Sequence, residues 1–198
     1  MSPDSDMAHD MSQACGMMTA MDTNEDGPCR LTALAAMIPL LAQGRELTLP
    51  ALNRLVYFSD VAHLLRHGQT VSRRPQLKIR RGPLPRGSFE ARCAAIRAGL
   101  LTERWTERRF EREASYLATA QASRLEQRFC AEELATLSAV RERLGCRTAR
   151  FLARKAHESA PWRCGRFGFP LDLDLARTDA RLIAWLRAEG VLPPEGNG

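Results

Sequence analysis

The residues best suited to chemistry in this sequence are histidines, because a histidine can bind a metal or transfer a proton near neutral pH. His63 and His67 are four residues apart, which places them on one helix face at the spacing of zinc ligands. Asp60 or His157 could supply a third ligand. The competing interpretation is structural, since a cation near a helix end, such as His67, is favoured by the helix dipole. We favour structural histidines and expect neither a metal ion nor another cofactor.

A second polar group is formed by His157 and Glu158, with Trp162 four residues further on. A His–Glu dyad can act in proton transfer, although no nucleophile lies beside it in the sequence. The alternative is a helix end, with Trp162 packed beneath His157 as a core anchor rather than as an interface residue. The sequence also lacks the nucleotide-binding, nucleophile-elbow and zinc-protease motifs. We therefore expect a protein that is not an enzyme.

The charge distribution favours an acidic partner. The chain has 29 Lys and Arg against 23 Asp and Glu, a formal net charge of +6. Residues 1–29 contain six acids and no Lys or Arg, so the remainder carries about +12, which speeds encounters with acidic molecules. Arginine pairs such as Arg73–Arg74 keep a nucleic-acid-binding regulatory protein as the alternative. No recognition motif for DNA or RNA is present, and a solvated basic face is the preferred interpretation, so we do not expect nucleic acid to be a partner.

Apolar residues at helical spacing predict that most of the chain is α-helical. The clearest helix has Thr48 as its N-cap and Pro50 in its first turn, and it ends at Gly68. Pro39 implies a kink or an early end in the helix before it, and Ser88 is the predicted cap of the helix that follows. The predicted helices cover residues 31–42, 48–68, 89–98, 131–144, 148–158 and 178–189.

Two regions between the helices favour β-structure. Residues 76–80 alternate between polar and apolar, as in a half-buried strand, and the segment from Gly82 to Pro85 must turn or run extended. Residues 100–119 form either two short strands, at 101–106 and 110–117, or a single charged helix; we prefer the strands. The predicted fold class is mainly α with a small β element, in a compact single globular helical domain.

The domain organisation follows from composition and length. We predict a disordered acidic segment at residues 1–29, one domain at 30–190 and a flexible tail at 191–198. No run of 18 apolar residues is present, and the acidic start is unlike a secretory signal, so we expect a cytoplasmic protein without membrane partners. The six cysteines form no C-x-x-C pair, and we expect them to be reduced.

One polar stripe in the clearest helix has two interpretations. Asn53, Tyr57 and Asp60 are spaced at i, i+4 and i+7, which places them on one helix face. Such a stripe could form hydrogen bonds with the segment at residues 82–85 or with a partner. In the competing interpretation, Tyr57 and Phe58 simply pack in the core.

Several motifs, in order along the chain, resemble the Panacea domain of SocA-like antitoxins. Residues 52–63, LNRLVYFSDVAH, resemble its opening helix, K-L-x-K-L-L-Y-F-A-D followed by an aromatic residue or histidine. Residues 82–85, GPLP, are similar to its Y-G-P-V-P, with Arg81 replacing the tyrosine. Residues 129–134, FCAEEL, and residues 157–162, HESAPW, are similar to its F-S-x-E-E-L and H-E-x-x-x-W.

The resemblance extends over about residues 30–176 and carries expectations about function. It implies an antitoxin of a bacterial or phage toxin–antitoxin system, which neutralises a cognate protein toxin by direct binding. In the SocA-like variant, the antitoxin acts as an adaptor that delivers the toxin to an ATP-dependent protease such as ClpXP. The residues that the motifs mark as partner-binding or motif positions are Asn53, Tyr57, Asp60, His63, Gly82, Pro83, Pro85, His157, Glu158 and Trp162.

Overall fold

The structure, a computed structural model, describes residues 28–108 and 111–194. In these ranges the chain forms seven α-helices, two 3-10 helices and five short β-strands, so the prediction of a mainly α fold with a small β element is confirmed. The predicted acidic segment lies outside the described residues except for its last two positions, with which helix α1 (Pro28–Leu41) begins. Of the predicted tail, Val191 and Leu192 are buried in the core, and residues 195–198 lie outside the described ranges.

Helix α2 (Leu49–His67) is the centre of the molecule. All residues from position 51 to 64 are buried, so this helix is enclosed on every side rather than on one face. Pro50 lies in its first turn, and Gly68, with a φ of 79°, ends it as predicted. Helix α1 packs against α2 and ends two residues after Pro39. The short strand β1 (Leu47–Thr48) precedes α2.

A two-stranded hairpin follows α2. Strand β2 (Gln76–Ile79) pairs in antiparallel register with β3 (Gly82–Pro85), so the predicted segment at 82–85 runs extended and forms a strand. The opposite edge of β2 is covered by the loop at residues 168–171, through backbone hydrogen bonds that involve Lys78 and Gln76. Strand β3 is therefore an edge strand, which is where prolines are tolerated because they cannot donate to a ladder.

The second β element is a three-stranded sheet with the order β1-β5-β4. Helix α3 (Ser88–Arg97) leads into β4 (Leu101–Arg108), which pairs with β5 (Glu111–Ala118) over its whole length. The prediction of two strands here is confirmed over that of a single charged helix. Ser88 is the first residue of α3 and not its cap; the N-cap is Gly87, with a φ of 79°.

The C-terminal half wraps around α2 with helices that pack against it. A 3-10 helix (Ala120–Arg128) is followed by α4 (Ala131–Leu144), α5 (Ala149–Glu158) and the short α6 (Ala160–Cys164). The predicted last helix, over residues 178–189, is α7 (Ala180–Ala188), and the Asp179 side chain caps it by accepting from Leu182 N–H. A second 3-10 helix (Leu173–Thr178) precedes it. Helices α4 and α5 make most of the helical contacts with α2.

Candidate functional site: the buried polar groups of helix α2 and the adjoining cleft

The four predicted site residues of α2 all lie inside the protein, with at most 6% of their surface exposed. Asn53 Oδ1 accepts a hydrogen bond of 2.9 Å from Ser88 Oγ at the start of α3. The Tyr57 hydroxyl lies 2.8 Å from Ser159 Oγ, which itself donates to the carbonyl oxygen of Ala156. Because the serine proton is used there, Tyr57 is the donor. Burial raises the pKa of Tyr57 well above its usual range.

Asp60 is a fully buried carboxylate with three donors around it. Its Oδ1 accepts from Ser72 N–H at 2.8 Å, and its Oδ2 accepts from Ser72 Oγ and Gln76 Nε2, each at 2.6 Å. Burial raises the pKa of Asp60 to about 6, although the hydrogen bonds from Ser72 and Gln76 oppose that shift. These hydrogen bonds join α2 to Ser72 and to Gln76, the first residue of strand β2.

His63 reaches helix α4 in a similar way. Its Nδ1 lies 3.1 Å from Thr136 Oγ1, and that hydroxyl donates its proton to the carbonyl oxygen of Glu132 at 2.9 Å. Thr136 can therefore only accept from His63, so Nδ1 carries the ring proton. The buried Nε2 has no hydrogen-bond partner among the described residues. Burial, followed by the charge of His67, lowers the pKa of His63, and the ring is held neutral.

These contacts resolve the two interpretations of the polar stripe. Asn53, Tyr57, Asp60 and His63 each bond to a different part of the chain: the start of α3, the α5–α6 junction, the hairpin and α4. Tyr57 and Phe58 are also buried, and their rings pack edge to face. The stripe therefore holds the fold together from within and presents no side chain to a partner at the surface.

The histidines do not assemble into a metal site in the described part of the chain. The rings of His63 and His67 are 4.5 Å apart. However, no group of three or more His, Cys, Asp or Glu residues comes together there, and the carboxylate of Asp60 is occupied by Ser72 and Gln76. The arrangement fits the structural interpretation of both histidines.

The glycine of the GPLP motif makes room for Arg54, a residue that sequence reasoning missed. Gly82 has a φ of 114°, and a Cβ added to it would lie 2.5 Å from Arg54 Nη2. The Arg54 side chain is buried, donates from Nη1 to the Pro50 carbonyl oxygen at 2.9 Å, and has its pKa lowered to about 10 by burial. Pro83 and Pro85 pair opposite Lys78 and Gln76, and both prolines are buried. The glycine of the motif therefore leaves space for the buried guanidinium of Arg54.

His157 and Trp162 form a stacked pair beside two more basic groups. Their ring centroids are 4.3 Å apart. Lys78 Nζ donates to the carbonyl oxygens of Trp162 and Gly165, at 2.6 and 3.0 Å, and lies 5.0 Å from the Trp162 ring centroid. Burial, then the charges of Arg54 and Lys78, lower the pKa of His157. Trp162 is buried, as the core-anchor interpretation expects.

Glu158 does not share this environment with His157. Its side chain is half exposed, and its carboxylate forms ion pairs with Lys155 at 3.0 Å and with Arg154 at 3.8 Å. The proton-transfer dyad that the sequence left open therefore lacks the interior acid that it would need, and the favoured alternative was a helix end. The helix-end interpretation describes this region better, since His157 and Glu158 are the last two residues of α5.

An open cleft of about 370 Å³ lies where α2, the β2–β3 hairpin and α3 meet. We name it the α2–α3 cleft. Its apolar wall includes Leu49, Leu77, Ile79, Leu84 and Phe89, and four arginines also line it: Arg54, Arg81, Arg86 and Arg92. Glu90 is the one carboxylate among the described lining residues. Asn53 and Pro85, two of the predicted site residues, line this cleft, whereas none of its arginines is among the predicted site residues.

The fold and these contacts define a class: a mainly α domain built around a buried, polar central helix and a glycine-proline hairpin. The family model of the antitoxin SocA-like Panacea domain matches residues 52–163, more than half of the chain, and the protein belongs to this family. The match runs from α2 to α6 and contains all ten predicted site residues. No curated protein and no solved structure matches the chain. Within the described ranges, no helix is both long and apolar enough to cross a membrane.

Proposed function

We propose that the protein is the antitoxin of a bacterial or phage toxin–antitoxin system and neutralises a cognate protein toxin in the cytoplasm by binding it directly. The Panacea-domain match over residues 52–163 carries this proposal. Neutralisation then depends on buried surface and charge complementarity rather than on catalysis. The absence of enzymatic activity is part of the proposal, and it is supported by the motif residues Asn53, Tyr57 and Asp60, which are engaged in bonds that hold the fold.

The test is co-expression with the product of the adjacent reading frame. We expect that product to stop growth alone, and growth to return and the two proteins to co-purify when this chain is present. Arg150→Glu, a charge reversal at an exposed position, should still protect. Asp60→Ala, which leaves the buried donors of Ser72 and Gln76 without an acceptor, should not. An adjacent product that is neither toxic nor bound contradicts the proposal at this locus.

The same assay separates direct neutralisation from delivery to a protease. In a host that lacks ClpXP, direct neutralisation predicts full protection and an unchanged amount of toxin. If protection disappears in that host and the toxin accumulates, the chain acts instead as an adaptor for proteolysis.

A nucleic-acid-binding regulator is the second candidate, favoured by the net charge of +6 and the sequence pI of about 9.4. Phosphate contacts release counterions, so real binding to duplex DNA or RNA must weaken steeply as salt rises. Affinity measured across a salt series tests this candidate. Binding that is absent, or that does not depend on salt, excludes it.

A further inference from the structure

None of the four arginines that line the α2–α3 cleft forms an ion pair with a described carboxylate. Arg92 donates from Nη1 to Ser88 Oγ at 3.1 Å, and its guanidinium lies 5.5 Å from the ring centroid of Tyr116. The Nε of the buried Arg54 has no hydrogen-bond partner within the described ranges. Arg81 and Arg86 are exposed at the rim, and neither forms an ion pair with a described residue. A buried guanidinium without a counter-charge favours an anionic ligand.

The apolar wall of the cleft adjoins the arginines, since the Arg92 guanidinium lies 5.8 Å from the ring centroid of Phe89. Leu77, Ile79 and Leu84 are partly exposed on the hairpin, and Phe89 has 52% of its surface exposed. An exposed aromatic residue beside aliphatic side chains is typical of an interaction site rather than of an ordinary solvated surface. A ligand that carries only charge, such as a nucleic-acid backbone, would leave this wall exposed to water. A purely apolar ligand would leave the arginines without a counter-charge.

We infer that the α2–α3 cleft is a docking site for a short segment of a protein partner in which a carboxylate side chain lies next to a large apolar one. The carboxylate pairs with the cleft arginines, and the apolar side chain covers Phe89 and the hairpin wall. Bidentate pairing suits arginine and carboxylate geometry, and the cavity volume lies in the range of small binding sites. This inference rests on the proposed function, because it places toxin docking at the cleft.

The experiment that tests this docking site uses the purified full-length chain and a displayed library of short random peptides. We expect enrichment of peptides with Asp or Glu beside Phe, Leu or Ile. Fluorescence anisotropy of an enriched peptide should show about tenfold weaker binding to Arg81→Glu/Arg86→Glu and to Phe89→Ser. Arg150→Glu, which adds the same type of charge reversal outside the cleft, should bind within about twofold of the wild type. Melting curves confirm that each variant is folded.

Two results overturn the inference. One is enrichment of peptides without acidic residues, or of no peptide at all. The other is peptide binding that the cleft variants leave unchanged. Binding of a short duplex DNA that only the cleft variants lose, without any enriched peptide, would assign the cleft to nucleic acid and overturn the inference as well.

The toxin-neutralisation assay distinguishes a failure of this inference from a failure of the proposed function. If Arg81→Glu/Arg86→Glu neutralises the adjacent gene product as well as the wild type does, the docking site is wrong while the antitoxin function stands. If acidic and apolar peptides bind the cleft but no adjacent product is neutralised, the docking site stands and the antitoxin function fails.

Discussion

Gly82 is the single residue on which the packing of Arg54 depends. Its φ of 114° is unfavourable for other residues, and a Cβ would meet the enclosed guanidinium at 2.5 Å. We predict that Gly82→Ala lowers the free energy of unfolding by about 3 kcal/mol, from backbone strain together with displacement of Arg54. Gly44→Ala is the matched control: φ is 73° and no atom lies within 4 Å of the added Cβ, so only about 1 kcal/mol of strain is expected. Urea unfolding measures both.

A double-mutant cycle identifies the source of that loss. In an Arg54→Ala background, Gly82→Ala should cost less than it does in the wild type, because the contact no longer exists and only the backbone strain remains. Equal losses for Gly82→Ala and Gly44→Ala in the wild-type background would contradict the assigned contact between Gly82 and Arg54.

At the scale of elements, the two threonine N-caps differ in whether the side chain stabilises the helix that follows. Thr148 Oγ1 accepts from Phe151 N–H at 3.2 Å at the start of α5. Thr48 precedes α2 without a side-chain cap bond, and its buried Oγ1 has no partner among the described residues. We predict that Thr148→Ala lowers the free energy of unfolding by about 1 kcal/mol and that Thr48→Ala changes it by less than about 0.5 kcal/mol. Chemical denaturation of both variants checks this, and a larger loss for Thr48→Ala would refute it.

The same elements show what the sequence could predict about the fold. Thr48, Pro50 and Gly68 are local signals, and they predicted where α2 lies. The strands β4 and β5 were preferred over a charged helix because the region lacks helix caps, which are also local signals. In contrast, the cap of α3 was assigned to Ser88, whose hydroxyl instead bonds to Asn53, a residue 35 positions earlier in the chain. A contact at that separation has no local signal.

Whether the polar stripe points to the core or to the surface could not be predicted either, because its hydrogen-bond partners are also distant in the sequence. Helical periodicity tells a buried face from an exposed one, and α2 is buried on all faces. Only tertiary partners decide where its polar groups point: Tyr57 bonds to Ser159, 102 residues away in the chain. Arg54 was missed because an arginine in a helix predicts exposure; the one available signal was the glycine of the GPLP motif.

For the whole molecule, stability as a function of pH depends on buried groups whose pKa values shift in opposite directions. The pKa of Asp60 is raised from 3.8 to about 6, so between these values the folded state binds more protons than the unfolded state. Its contribution is fully present below about pH 4 and is lost as pH rises through 6. We predict that the wild type loses about 2 kcal/mol relative to Asp60→Asn between pH 4 and pH 7.

The asparagine in that variant is compatible with the site. It can accept from Ser72 N–H and donate to Gln76 Oε1, a buried atom without a partner in the described part of the chain. Urea unfolding across the pH range provides the measurement, and Asp174→Asn, at an exposed carboxylate paired with Arg177, serves as the control. Parallel curves for the wild type and Asp60→Asn would contradict the raised pKa.

His63 also changes the free energy of unfolding with pH, but in the opposite direction to Asp60. The pKa of His63 is lowered from 6.5, so below that pH the unfolded state binds more protons than the folded state does. The contribution of His63 to the free energy of unfolding is therefore present above pH 6.5 and is lost as the pH falls. We predict that His63→Asn, which keeps a donor toward Thr136 Oγ1, removes this acid-side loss, while His67→Asn, which removes a charge that lowers the pKa of His63, only reduces it. Nitrogen chemical shifts should show the neutral Nδ1–H tautomer of His63 at pH 7. A ring that titrates at its ordinary value would contradict the lowered pKa, and a ring that carries its proton on Nε2 would overturn the assignment of the His63–Thr136 hydrogen bond.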